Sequence, residues 1–221
     1  MKNILKKERV AFLDIHSPLY LRSQKSKVSG GDLADLAVLI ERAGEAGFFG
    51  IMMTPIQDTG FSSCPYMGIS IFSFNPVNLS VSWLLEDSGV DDLGVKPSKD
   101  IRRKDGLVNY KKLRDYKIAV LREVFEKNEF FEKIEIDEFE KRAIDYAVFA
   151  VLKNKFKLSW EKWPREFRFG SSNMIAKNHP ELIGEIKFVL FCQKVMYLQW
   201  MRIANLVKNK NMVLMLDKPI Y

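Results

Sequence analysis

The chain has 221 residues, which at ~150 residues per domain allows one large domain or two small ones. Hydrophobic residues make up 47%, enough for a sizeable core, which excludes wholesale disorder. The 35 Lys+Arg exceed the 28 Asp+Glu by 7, and two cysteines, Cys64 and Cys192, cannot staple a chain this long, so a cytoplasmic compartment is expected rather than a disulfide-built secreted one.

In chain order, Met1 to Arg9 carries no apolar stretch of the kind a signal peptide needs. Val10-Ala11-Phe12-Leu13 is a short apolar run suited to a strand buried on both faces. Gly30 and Gly31 lead to Asp32, an expected N-cap, and Leu33, Leu36, Ala37, Ile40 and Ala43 recur at helical spacing up to Gly47. Gly50 to Thr54 is a second apolar strand, ending at Pro55. The β-α-β order predicts a parallel sheet with a right-handed crossover.

Between Asp58 and Glu86 no charged residue occurs, a run longer than the ~20 residues of a membrane-spanning helix. It holds Pro65, Pro76, Asn75, Asn78, two glycines and six serines, so it reads as a buried or ligand-facing loop and no membrane is expected. Asp91 to Asp105 is polar and turn-rich, a subdomain boundary. Leu113, Tyr116, Val120, Leu121, Val124 and Phe125 then mark one amphipathic helix, and Phe139, Ala143, Tyr146, Ala147, Ala150 and Val151 another. Trp160, Trp163 and Pro164 close this helical insert. Pro180 opens a long helix running to about Lys208, apolar nearly all round from Phe188 to Met201. Met212 to Leu216 is a third buried strand, followed by Asp217.

Three parallel strands with crossover helices form the opening of a (β/α) barrel or of a doubly wound sheet. A closed barrel needs about eight strands, so the expectation is that further chain or another molecule covers the open edges.

Self-contained catalytic machinery is not apparent. His16 and His179 are the two histidines, too few for a His-rich metal site, and each reads as a surface or hydrogen-bonded residue. Cys64 and Cys192 lack CxxC spacing and read as buried inert thiols. There is no P-loop and no dinucleotide fingerprint, so neither a metal nor another cofactor is expected. Residues 96–129 hold 11 Lys+Arg against 6 Asp+Glu, five of the seven excess charges. Phosphate neutralisation is the sharp reading, but the acids interleave with the bases, so the segment reads as a solvated helix face and no nucleic-acid partner is expected.

Thr54 to Tyr66 follows the second strand, at the rim where barrel enzymes place binding loops. Nearly uncharged, hydroxyl-rich and carrying Phe61 and Tyr66, it suits a neutral sugar: an aromatic face packs on a pyranose while short polar groups bond its hydroxyls. Asp217, at the end of the third strand, would share that rim. A packed tyrosine and a capping aspartate account for the same residues, and composition leaves both readings open.

Thr54-Pro55-Ile56-Gln57-Asp58-Thr59-Gly60, then Cys64-Pro65-Tyr66 and Ser70-Ile71-Phe72-Ser73-Phe74-Asn75-Pro76, resembles the LPLGPTG…SPYxSxSxFAxNP stretch of the 4-alpha-glucanotransferases (amylomaltases, or disproportionating enzymes), in the alpha-amylase-like clan of TIM barrels. Val108-Asn109-Tyr110 with Lys117 is similar to the family's VDY…K block. Asp145 to Phe149, Leu152-Lys153, Trp160, Trp163-Pro164 and Arg168 are similar to DYALFxALK…WxxWPxxLR. Gln199-Trp200 and Leu216 to Tyr221 are similar to QW…GDxPIF. The four blocks stand in the family's order and cover only its N-terminal part, well under half of a typical member.

The resemblance implies an α/β fold: the first three strands of a TIM (β/α)8 barrel with an inserted, mostly helical subdomain. Residues 1–87 would be the barrel start, 88–175 the helical insert, and 176–221 the long helix and third strand. It implies transfer of a segment of a 1,4-alpha-glucan to an acceptor sugar by a retaining double displacement, with the family's catalytic carboxylates on later strands. The 221 residues alone are therefore expected to be inactive. It implies substrate contacts at Tyr66, Asp217, Asn75 and Ser70, a maltodextrin as ligand, and the remaining part of the barrel as a partner. Cys64, Met67, Ile51-Met52 and Leu216 depart from the family's Ser, Gln, Trp-Gln and Gly, removing polar contacts near the glucan. The alternative is a non-catalytic glucan- or protein-binding fragment.

Overall fold

The computed structural model describes residues 11–21, 30–98, 101, 105, 107–127 and 138–217, with Tyr20 and residues 138–142 described as backbone. Three parallel strands, β1 (Phe12–Ile15), β2 (Gly50–Met53) and β3 (Val213–Leu216), form one sheet in the order β1-β2-β3. Gly50 lies opposite Phe12 on one side and Val213 on the other. A Cβ at Gly50 would stand 2.2 Å from the Val213 carbonyl oxygen and 2.8 Å from the Phe12 ring, so the missing side chain is what lets three strands close up here. β1 starts two residues later than the apolar run suggested, and Val10 falls outside the described residues.

Helix α1 (Leu33–Glu45) makes the β1–β2 crossover. Asp32 caps it as expected, accepting from the backbone N–H groups of Ala34 (2.8 Å) and Asp35 (3.3 Å), while the Asp35 carboxylate accepts from the Asp32 N–H. Leu33, Leu36, Ile40 and Ala43 form its buried stripe, packed with Ile51 and Met53 of β2.

The charge-free segment does not remain a loop to its end. Ser80 caps a helix, α2 (Val81–Ser88), which stops at Gly89 in the left-handed conformation (φ 65°). Helices α3 (Tyr110–Lys127), α4 (Glu138–Phe156), α5 (Arg165–Phe169) and α6 (Ser172–Asn178) follow. Pro180 opens a single 3-10 turn, and α7 (Ile183–Asn209, 27 residues) returns to β3.

The near-continuous apolarity of α7 has a physical reason: it serves two cores. Phe188, Phe191, Cys192, Val195, Met196, Ile203 and Val207 join the core shared by α1, β2 and α3. Ile186 and Leu190 instead pack with Ala143, Ala147, Val151, Trp163 and Phe167 in a second core under α4. A helix buried on opposite sides cannot show one clean stripe.

Two glutamines of α7 hold the segment after β2. The amide of Gln193 accepts from the Phe74 N–H (2.7 Å) and donates to the Phe74 carbonyl (3.2 Å); Gln199 does the same to Ser80 (2.9 Å each). The spacing of six residues on the helix matches six on the loop, so the two clamps set its register. Gln199→Leu leaves the N–H of fully buried Ser80 unpaired, while its carbonyl keeps the Leu84 N–H (3.1 Å), and should cost about 1–2 kcal/mol, read as a shift in the urea midpoint.

Candidate functional site

The loop from Thr54 to Ser80 leaves the C-terminal end of β2, and its shape rests on two buried polar residues. Asp58 is 1% exposed. Its carboxylate takes a two-pronged ion pair from Arg114 of α3 (2.8 and 2.9 Å), a hydrogen bond from the Tyr146 hydroxyl of α4, and one from the Gly60 N–H (2.8 Å). Its own N–H and carbonyl bond to Ser73 and Ile69 across the loop. Burial, followed by the Asp58 charge and hydrogen bond, pushes the Tyr146 phenol well above its ordinary range, so it stays a donor.

Asn75 is the second hub. Its amide nitrogen donates to the Tyr110 hydroxyl (2.7 Å) and to Thr59 Oγ1 (3.2 Å), and its oxygen accepts from Arg114 (3.3 Å) and the Val77 N–H (3.2 Å). Ser70 closes a turn: its hydroxyl accepts from the Phe72 N–H, and its carbonyl accepts from Ser73. Both residues are thus engaged in shaping the loop.

Lys117 of α3, 2% exposed, donates to the carbonyls of Val77 (2.5 Å) and Leu79 (2.7 Å). Burial lowers its ammonium to about 8, with the nearby carboxylates of Asp32 and Asp35 opposing the shift. The basic segment is therefore not simply a solvated face. Arg114 and Lys117 are buried structural cations, and Arg122 pairs with Glu185 (2.6 Å) over the Phe188 ring.

The loop presents Tyr66 to the third strand. Its hydroxyl donates to the Asp217 carboxylate (2.7 Å), and the Asp217 N–H bonds the Met53 carbonyl (2.9 Å), fixing that residue at the end of β3. The bond to Asp217 is the main cause that raises the Tyr66 phenol; desolvation and the charges of Asp217, Cys64 and Asp14 add to it. Tyr66 (42% exposed) and Asp217 remain open to solvent, as do Phe61 and Phe72. Two sites named from sequence, Tyr66 and Asp217, thus meet across 151 residues, while Asn75 and Ser70 lie inside the loop. Cys192 is buried, with its thiol raised by burial, whereas Cys64 is exposed, contrary to expectation: it lies in the turn between Ser62 and Pro65. Among the described residues no helix is long and apolar enough to cross a membrane, and no group of three His, Cys, Asp or Glu could hold a metal.

Sequence-only reading missed Asp58, Arg114, Tyr146 and Gln193. A signal existed for Gln193, which falls within a buried apolar stretch of α7, where a polar group needs a partner.

The sequence pattern of the family described as 4-alpha-glucanotransferase, glycoside hydrolase family 77, matches residues 17–221. The 4-alpha-glucanotransferase of Clostridium butyricum is 27% identical over 188 residues, covering 82% of this chain and 38% of the relative. That of Aquifex aeolicus is 24% identical over 209 residues, covering 92% and 42%. An amylomaltase from Streptococcus agalactiae, solved in complex with acarbose, superimposes with a TM-score of 0.73 at 19% identity, over 97% of this chain and 44% of that one. The chain thus spans about two fifths of the length of these relatives. With the match running from Ser17 to the last residue, the chain belongs to the 4-alpha-glucanotransferase family.

Proposed function

We propose that the chain forms the glucan-binding side of a 4-alpha-glucanotransferase, which moves a segment of a 1,4-alpha-glucan to glucose or another glucan. The observation that carries this reading is the Tyr66–Asp217 bond, which places an aromatic face and a carboxylate together at the C-terminal rim of the sheet. The ring supports the apolar face of a pyranose, and Asp217 accepts from its hydroxyls. Asn75 and Ser70 serve the same site by holding the loop. Residues 1–87 act as the start of a TIM barrel, 88–175 as a helical insert, and 176–221 as the return to the third strand. The reaction implied by the family is a retaining displacement whose carboxylates lie outside this chain, in a cytoplasmic enzyme acting on maltodextrin.

A second reading, a non-catalytic fragment that binds a polypeptide completing the barrel, is favoured by one observation. Met52 (36% exposed) and Met215 (45%) stand side by side on the sheet face opposite Ile51 and Met53. An uncovered apolar strand pair of this kind is an association surface.

Calorimetric titration with maltoheptaose tests the first reading. The wild-type chain should bind, and Tyr66→Ala should weaken binding at least about tenfold, by loss of the stacking face and of the bond that orients Asp217. Absence of binding by wild type overturns it. Maltotriose incubated with the purified 221 residues should keep its oligosaccharide distribution; new chain lengths would place catalytic carboxylates within this chain.

A further inference from the structure

The loop that carries Tyr66 has no apolar anchor of its own. From Gly60 to Phe72 no residue is buried, and Phe61, Met67 and Ile69 stand 73%, 63% and 42% exposed. Its position is set instead at its neck. The Asp58 carbonyl accepts from the Ile69 N–H (2.7 Å), closing residues 59–68 into a compact loop, and the Asp58 N–H donates to Ser73 Oγ (3.2 Å). Beside it, Thr59 Oγ1 lies 2.8 Å from the Tyr110 hydroxyl at the start of α3.

The neck is tied in turn to α3 and α4. One carboxylate oxygen of Asp58 accepts from Arg114 Nη1 and from the Gly60 N–H (2.8 Å each). The other accepts from Arg114 Nη2 (2.9 Å) and from the Tyr146 hydroxyl. Asp58 stands at the second proline of LPLGPTG. A proline stiffens the backbone through its ring and offers no N–H. In this chain the stiffness comes from bonds to two helices distant in sequence, so the placement of Tyr66 depends on them.

We propose that Asp58, clasped by Arg114 and Tyr146, is a positioning residue for glucan binding: it holds the neck of the loop so that Tyr66 stands against Asp217 before a sugar arrives. Helices α3 and α4 thereby set the affinity of the site. The proposal rests on the glucan-binding reading, and its test separates the two. When only a fraction of molecules holds the loop in place, the apparent affinity falls by that fraction. Maltoheptaose is titrated into the full chain as wild type, Asp58→Asn, Tyr146→Phe, Tyr66→Ala and the double variant Asp58→Asn with Tyr66→Ala. Each titration is run well below the melting temperature of the protein, where loss of stability alone leaves the Kd of a fully folded chain unchanged. Asp58→Asn keeps the side-chain shape but turns one acceptor into a donor, and should weaken binding about tenfold; Tyr146→Phe should weaken it about threefold. Because Asp58 acts through Tyr66, the double variant should bind like Tyr66→Ala alone. If Asp58→Asn and Tyr146→Phe bind like wild type while Tyr66→Ala does not, the positioning role is overturned and the glucan reading stands. Losses that add in the double variant also overturn it. Should Asp58→Asn fail to fold, Tyr146→Phe decides, and its unchanged affinity overturns the role. Failure of wild type to bind overturns both.

Discussion

Asp58→Ala should destabilise the chain by about 3–5 kcal/mol, the largest effect expected of any single substitution here. The carboxylate is almost inaccessible and receives a two-pronged bond from Arg114, itself largely buried, together with the Tyr146 hydroxyl. Its removal strands a guanidinium in low dielectric and leaves the Gly60 N–H and the Tyr146 hydroxyl without an acceptor. The group also joins three segments distant in sequence, the loop after β2, α3 and α4, so no local rearrangement replaces it. Tyr146→Phe removes one hydrogen bond and should lose about 1 kcal/mol, while Asp58→Ala with Arg114→Met should recover part of the single-site loss. Urea denaturation of wild type, Asp58→Ala, Arg114→Met and the double variant measures this cycle, with Tyr146→Phe alongside. A single-site loss below about 1 kcal/mol would show that the pair is solvated and does not anchor the loop.

Lys117 should give the protein an unusual alkaline gain in stability. Its folded-state pKa of about 8 lies below the ordinary 10.5, so between those values the unfolded chain holds a proton that the folded chain has released. Stability then rises with pH across this window: the cost of burying the ammonium is fully present below pH 8 and relieved towards 10.5. A difference of this size is on the order of 3 kcal/mol. The neutral amine still has two N–H bonds, enough for the carbonyls of Val77 and Leu79, so deprotonation sheds the burial cost without orphaning either acceptor. Tyr66, Tyr116 and Tyr146, all raised, oppose the gain once unfolded tyrosines ionise near pH 10. They are common to wild type and Lys117→Met, so the difference between the two stability profiles isolates the lysine. Parallel profiles from pH 8 to 10 would show that Lys117 is hydrated in the folded state.

Several elements were readable because their cause is local. Asp32 ahead of the stripe Leu33, Leu36, Ile40 marks an N-cap and a helix without reference to the rest of the chain. Strands β2 and β3 announce themselves as short apolar runs, and Tyr66 and Asp217 follow from the family blocks. Helix α2 was less visible, since a serine cap and eight residues inside an apolar, charge-free stretch resemble a buried loop. Cys64 was misplaced for a related reason: composition says how apolar a segment is, not whether another element covers it.

The sequence by itself determined the β-α-β order, the long helix before the third strand and the family, and it offered Tyr66, Asp217, Asn75 and Ser70 as candidate glucan contacts. Periodicity, capping and motif spacing act over a few residues and leave a readable trace. The tertiary structure alone decided that Asp58 meets Arg114 and Tyr146, that Gln193 and Gln199 clamp Phe74 and Ser80, and that Tyr66 touches Asp217. These pairs are 56 to 151 residues apart, and their geometry comes from how the helices cross the sheet, which no local pattern encodes. The same packing left Gln57 Oε1 and Asn78 Oδ1 buried without a hydrogen-bond partner among the described residues.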